Sequence, residues 1–364
     1  MIIDSHTYCF KPANDIDGYE NKEEHLNWIK DANKSHHQPL ISLTDRTILS
    51  KTESNMKFDI DNKTGRVLWK TNGKLYTQYY YPPNLRNLEF TPHSLISEMD
   101  YAGIDIALLH TNPSLGRSNI YQSQCVKLYP KRILSMASVD EWLIEDNPES
   151  VIENVVYAIK ELNLHAIKFN PLGYLKSNQP WDSGIYEYFW QTITKLNVPI
   201  FFTLGTGPNF KAQNFSNKDA VNGYLKELNI LMKWMDKYPN NKCSITHGFP
   251  WRIFLENNHI TLPKDIWAPF NNPNLYMEVC FPVRIGDIFE FPYVDIWPIL
   301  DELINNIGFG NLHYGTDMPF QNRFCTYKQS RKWIENHYKN NTGMTQNELN
   351  MIMGQTAAKL LNIL

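Results

Sequence analysis

The spacing of apolar and polar residues changes period several times along the 364-residue chain. Ile2-Ile3 leads into Asp4-Ser5-His6-Thr7-Tyr8, a short β-like run. Side chains alternate in a strand, so this reading puts Asp4, His6 and Tyr8 on one face. Residues 11–90 are polar and rich in Asn, Asp, Lys, His and Tyr. Within them, 66–70 and 74–81 are β-like runs separated by Thr71-Asn72-Gly73, a hairpin signal. A rhythm then begins. Helical spacing over 91–103, with Thr91 or Ser94 as cap and Gly103 at the end, precedes a strand-like run at 104–111. The pair recurs as helix 118–130 and strand 133–140, helix 147–163 and strand 164–171, helix 185–197 and strand 198–205, and helix 224–239 and strand 242–248. A strand at 274–280, a helix at 294–308, a strand at 311–319 and a helix at 347–364 follow.

With the opening run this makes eight strands alternating with helices. Alternation implies parallel pairing through right-handed crossovers. Eight units of this length predict a (β/α)8 TIM barrel. The chain, 1–364, reads as a single barrel domain, with 11–90 inserted after the first strand and lying over the barrel mouth. That insertion is too short and too polar to bury a core alone.

Charge and composition narrow the partners. A formal net charge of −3 supplies no basic field for nucleic acid or an anionic membrane surface. The short basic cluster at 127–132 reads as a solvated helix end. No run approaches the ~20 apolar residues of a membrane span, and no signal-peptide pattern opens the chain. The five cysteines, at 9, 125, 243, 280 and 325, are odd in number and lack CxxC spacing. That argues against a disulfide framework or a finger-type zinc site and for a reducing cytoplasm. Aromatic residues, at 13%, hint at an aromatic-lined pocket for a small-molecule substrate, although a core or a subunit interface uses them equally well.

In such barrels the chemistry sits at the C-terminal ends of the strands. Four predicted ends carry candidate groups: Asp4, His6 and Tyr8 on the first, Lys168 on the fourth, His247 on the sixth and Asp317 on the eighth. Imidazole and carboxylate are ligands for a divalent ion, and a carboxylate beside a bound water can take its proton. Asp4, His6, His247 and Asp317 are the candidate metal ligands. Asp317 is the candidate general base, with His247 and Tyr8 as candidate catalytic partners. Arg252 reads as a clamp for a substrate carboxylate through its two-pronged guanidinium, or as a surface-loop residue. Lys168 reads equally as a site residue or as the partner of a neighbouring carboxylate. His110 and His313 read as structural.

The segments IIDSH, SLISEMDYAGIDIALL, LYPKRILSMASVD, LHAIKFNP, KYPNNKCSITHG, LHYGTDMP and ELNMIMGQTAAKLL stand in an order and spacing that resemble the amidohydrolase-related family. The branch resembled is the one holding aromatic-acid and semialdehyde decarboxylases, small lactonases and hydratases. The resemblance covers 1–10 and about 92–364. It implies an α/β barrel, often dimeric, with one divalent metal at the mouth. In that family the first strand ends Asp-x-His-x-His and the fifth ends in a histidine. Here Tyr8 and Thr203 stand at those two places.

The implied site, for zinc or manganese, is therefore expected to be weak or absent. Three readings stay open. An oxygen-richer site would favour a harder ion such as Mn²⁺. A metal-free site would use Asp317 to activate water, with His6, His247, Arg252 or Tyr8 facing the oxyanion. A non-catalytic chain would serve as partner subunit of an active paralogue; otherwise a homodimer is expected. The expected reaction is hydrolysis of a small carboxylate-bearing or aromatic substrate at a carbonyl carbon, Asp317 being the base. The alternative is non-oxidative decarboxylation of an aromatic or unsaturated acid.

Overall fold

The computed structural model describes the chain apart from residues 14, 50–55, 84, 172, 178, 207–215, 341, 342 and 364. Parts of the predicted insertion (14, 50–55 and 84) and the end of the predicted closing helix (364) thus lie outside the described residues. Eight strands form one parallel sheet in sequence order. They are β1 Ile3–Thr7, β2 Ile106–Leu109, β3 Ile133–Ala137, β4 Ala166–Phe169, β5 Ile200–Phe202, β6 Cys243–Ile245, β7 Leu275–Val279 and β8 Leu312–Tyr314. Most are buried along their whole length, because helices cover the outside and side chains fill the inside. Beyond β8, Asp317 and Met318 donate their N–H to His6 O at 2.8 and 3.3 Å, and Tyr8 N–H donates to Met318 O at 2.8 Å. These bonds close the sheet into a TIM barrel, as the alternation predicts.

Helix ends follow local chemistry. The helix Pro92–Ala102 starts at Thr91, whose hydroxyl accepts Ser94 N–H, and places proline in its first turn. The helix expected from 224 starts earlier, at Asn217, because Ser216 and Asp219 form a reciprocal capping box. A helix at Tyr327–Asn340 carries only a thin apolar stripe, Tyr327, Trp333 and Ile334, and does not stand out in the sequence. Its buried face nevertheless packs against Pro92–Ala102.

The stretch after β1 holds a helix, Lys22–Ser35, and a five-stranded antiparallel sheet. The expected hairpin is its centre: Arg66–Thr71 and Lys74–Thr77 pair across Asn72 and Gly73, both at positive φ (49° and 74°). Trp28 packs on Trp142 and Tyr174, from the loops after β3 and β4. Tyr80 and Tyr81 pack on Phe320, after β8. The stretch therefore touches the loops at the C-terminal ends of the strands. No helix among the described residues is long and apolar enough to cross a membrane.

One sequence expectation fails in β1. Its pairing with β2 shifts register between Asp4 and Thr7, which breaks strict alternation. Ser5 Oγ reaches into the barrel and lies 2.6 Å from His313 Nδ1, while His6 also turns inward. Asp4 points outward instead. It accepts Thr316 N–H (3.1 Å), Thr316 Oγ1–H (2.5 Å), Tyr327 O–H (2.6 Å) and His6 N–H (3.0 Å). The carboxylate is a staple on the β1–β8 seam, and its lone pairs are spent there.

Two stability predictions follow. Asp4→Ala orphans four buried donors and should cost about 3 kcal/mol in a urea titration; a loss under about 0.5 kcal/mol would mean the seam does not depend on it. His313 is read as neutral. Ser5 Oγ donates to Tyr314 O and so accepts from Nδ1–H, which leaves Nε2 to accept Ser244 Oγ–H. Burial pushes its pKa down to about 4. A histidine with a depressed folded pKa gives stability that is present above its ordinary value of about 6.5 and lost as pH falls toward 4. His313→Gln should flatten the fall of the denaturation midpoint in that window; an unchanged slope would refute the assignment.

Candidate active site

Glu278, one residue before the end of β7, is the buried anchor. Its Oε2 accepts His6 Nδ1–H at 2.8 Å and the backbone N–H of His247 at 2.5 Å. Gly315 makes this possible, since a Cβ there would lie 2.7 Å from three atoms of the Glu278 side chain. With Nδ1 committed to Glu278, His6 turns Nε2 into the mouth. There it lies 3.1 Å from Asp317 Oδ1 and 2.9 Å from the Tyr8 phenol oxygen. His247 Nε2 lies 3.5 Å from the same Asp317 oxygen, and the His6 and His247 rings stack at 4.5 Å. The structure thus brings together four predicted residues, His6, His247, Asp317 and Tyr8, from β1 and the segments after β6 and β8.

The backbone here is held in an uncommon conformation. His247 and Asp317 are at φ 65° and 64°, the left-handed region that non-glycine residues avoid at a cost of about 1–3 kcal/mol each. Hydrogen bonds from their own N–H groups, to Glu278 Oε2 and His6 O, fix them there. Charges then sort by neighbour. Burial disfavours an ionised Asp317, but His6 and His247 outweigh it and hold the carboxyl far below the usual range. Burial also opposes a charge on His6, yet Glu278 and Asp317 on either side raise its pKa. Burial, then the charge of His6, pushes His247 down to about 4. Burial and Asp317 keep the Tyr8 phenol protonated.

Beneath lies a second layer. His110 stacks on His6 with ring centres 3.6 Å apart. Its Nε2–H donates to Ser5 O at 2.8 Å, so Nδ1 is an acceptor, and Lys168 Nζ stands 3.2 Å from it. Lys168 also donates to Thr246 Oγ1 at 2.8 Å. Burial lowers its pKa to about 7 against the pull of Glu278, Asp317 and Glu141. Lys168 therefore supports His110 from below.

Three predicted residues stand apart. Asp4 is committed to the seam, which corrects its assignment as a metal ligand. Thr203 Oγ1 is buried with no hydrogen-bond partner among the described residues. Arg252 NH2 is engaged by Asp287 and by His37 Nε2, the latter at 3.0 Å. Sequence reasoning missed Glu278. The available signal was a lone carboxylate at the inward position of an otherwise apolar strand, two residues after Tyr276.

The family resemblance implies a metal, and the donors can be tested for fit. One atom each of His6, His247 and Asp317 lies within 4.8 Å of the others. Two ligands about 2.1 Å from a tetrahedral ion are about 3.4 Å apart, close to the 3.1 and 3.5 Å seen here. Among the described residues His247 Nε2 is buried with no hydrogen bond, Asp317 Oδ1 being 3.5 Å away, and Glu278 behind His6 is the outer carboxylate that ligating imidazoles use. Three protein donors with an open position suit a catalytic divalent ion. The residues fit.

Two imidazoles and a carboxylate converge at the mouth of a parallel eight-stranded barrel. The family profile described as Amidohydrolase matches residues 132–363, and the chain belongs to that family. No curated protein matches the sequence. Among solved structures, a probable 2-pyrone-4,6-dicarboxylic acid hydrolase from Acinetobacter baumannii with citric acid bound is 15% identical, with 100% of this chain and 99% of that one covered at TM-score 0.59. The 2,6-dihydroxybenzoate decarboxylase from Rhizobium is 19% identical, covering 76% and 90% at 0.56. A dihydroxybenzoic acid decarboxylase from Polaromonas with bound manganese and 2-nitroresorcinol is 20% identical, covering 74% and 85% at 0.52. At these identities the likeness establishes the fold.

Dialysis against chelator should empty the protein, and added Mn²⁺ or Zn²⁺ should return to one per chain by elemental analysis. His247→Gln should weaken binding about tenfold or more, and Asp4→Ala should leave the stoichiometry unchanged. Metal that survives the chelator, or is lost in the Asp4 variant, would contradict this ligand set.

Proposed function

We propose that the protein hydrolyses a small carboxylate-bearing or aromatic substrate at a carbonyl carbon, with Asp317 as the general base. The observation that carries this reading is the place of Asp317. Its carboxyl lies 3.1 Å from His6 Nε2 and 3.5 Å from His247 Nε2, and the two imidazoles favour its ionised form. Ionised, it has no proton to give and accepts one from a water made more acidic than bulk. A base is what activation of water needs, whereas decarboxylation needs a donor at the carbon that loses CO₂.

The chain's own groups divide the work as follows. Water approaches Asp317, which takes its proton as the oxygen attacks the carbonyl carbon, and returns that proton to the leaving oxygen as the acyl bond breaks. The Tyr8 phenol stays protonated beside His6 and donates to the oxyanion that develops. His247, neutral, positions the substrate carbonyl over Asp317. Tyr80, Tyr81 and Phe320 cover the mouth and exclude bulk water. A divalent ion held by His6, His247 and Asp317 would polarise the carbonyl and lower the pKa of water.

Decarboxylation is the second reading, favoured by one observation: the raised pKa of His6 supplies an imidazolium near the same position. Product analysis separates the two. Incubation with aromatic carboxylic acids and with lactones of carboxylic acids should give hydrolysis without release of CO₂. Asp317→Asn should lower kcat about 100-fold or more with the fold intact by circular dichroism. Stoichiometric CO₂ release would establish the second reading. Activity near wild type in Asp317→Asn would place the base elsewhere, and no turnover of any candidate by the isolated chain would favour a partner-subunit role.

A further inference from the structure

The five-stranded sheet inserted after β1 ends on an open edge. Its strands lie in the order Ile48–Leu49, Leu40–Ser42, Lys74–Thr77, Arg66–Thr71 and Lys57–Asp61. Among the described residues Lys57–Asp61 pairs on one side only, with Arg66–Thr71. An open edge is a template for another strand. The opposite edge strand, Ile48–Leu49, is too short to serve as one. The hairpin decides which backbone groups face outward. Its two-residue turn, Asn72-Gly73, makes Thr71 and Lys74 a hydrogen-bonded pair. Bonding direction alternates along a strand. Val67 and Trp69 therefore also bond toward Lys74–Thr77, whereas Arg66, Leu68 and Lys70 bond outward to Asp61, Asp59 and Lys57. That leaves the N–H and C=O groups of Phe58 and Ile60 pointing away from the sheet. Ile60 N–H is met by its neighbour's side chain, Asp59 Oδ1, at 2.8 Å, a local cap where a further strand would bond.

The side chains of this strand make it complementary to itself. Met56, Phe58 and Ile60 share one face and are half-buried. Phe58 lies 4.8 Å from the Trp69 ring, and Met56 packs on the same small cluster. Lys57 and Asp59 lie on the other face, exposed, and neither forms an ion pair among the described residues. Two copies of one strand can pair antiparallel only about a two-fold axis, so the residue on the axis sets the register. Residues directly opposite share a face, and like charges there are destabilising. With Lys57 or Asp59 on the axis, each meets its own like charge. With Ile60 there, Asp59 meets Asp61. With Phe58 there, Lys57 of each copy meets Asp59 of the other, Met56 meets Ile60, and the two Phe58 rings meet each other. This register also turns the free backbone groups of Phe58 and Ile60 toward the second copy.

We propose that the protein associates with a second copy of itself through this edge, the strands Lys57–Asp61 pairing antiparallel about an axis at Phe58 and joining the two inserted sheets into one. Each copy uses the same edge, so the contact is closed and assembly stops at the dimer. In the dimer the Asp59 carboxylate leaves Ile60 N–H for the facing Lys57, and the freed N–H donates to the second copy's Met56 carbonyl. The charged face gives the contact its register, and the apolar face continues the cluster around Trp69. The inserted segment thus serves as an assembly element, and the proposal is independent of the reaction.

Sedimentation equilibrium of the full-length protein tests it. Wild type should have twice the chain mass of 42.6 kDa. Asp59→Lys sets lysines face to face and Lys57→Asp sets aspartates face to face, so each variant alone should raise the dissociation constant roughly tenfold or more. Both positions are exposed, so circular dichroism should be unchanged. Mixing the two single variants brings opposite charges together again and should return a dimer with one chain of each. The double variant Lys57→Asp/Asp59→Lys keeps both pairs and should dimerise as wild type does, which separates loss of pairing from loss of fold. A monomeric wild type, single variants that dimerise as wild type does, a mixture that stays monomeric, or assembly beyond the dimer would overturn the proposal.

Discussion

The site depends on one buried carboxylate. Glu278 is fully buried near the C-terminal end of β7 and accepts two hydrogen bonds at once, from the His6 ring and from the His247 backbone. The first fixes which His6 nitrogen faces the mouth. The second holds His247 in a left-handed conformation that it would otherwise leave. A charge this deep is tolerable because both contacts are hydrogen bonds to groups that favour the anion. Gly315 contributes by omission: without a Cβ it lets the carboxylate pass over β8 toward both partners. Everything at the mouth is arranged by that contact.

The electrostatic order follows from it. An imidazole between two carboxylates, Glu278 and Asp317, is pulled toward its charged form. Its charge then lowers the pKa of both Asp317 and His247. The result is an acid–base series within a few ångströms: an ionised carboxylate, a neutral imidazole, and a phenol that keeps its proton. Such separation of pKa values among adjacent groups is what lets one site accept and donate protons at the same pH.

Much of this was readable in the sequence, for definable reasons. The barrel was legible because each strand and helix carries its own period, and polar residues follow the apolar runs. His6, His247 and Asp317 stood out as such endings. The parts that were not readable depend on contacts made far along the chain. The shift of register in β1 turns Asp4 outward, and a two-residue alternation cannot show that. Glu278 was hidden within an apolar strand, and its partners are distant in sequence. The helix Tyr327–Asn340 has too few apolar positions to be heard above its charged ones.

The account's central claim is that Glu278 dictates the protonation of His6. Nitrogen NMR of the labelled imidazole, with Glu278→Gln as control, tests it most directly. In the wild type His6 should carry a proton on Nδ1 throughout the neutral range, and in Glu278→Gln its pKa should fall and its tautomer should cease to be fixed. A wild-type His6 protonated on Nε2 alone, with a bare Nδ1, would contradict the account.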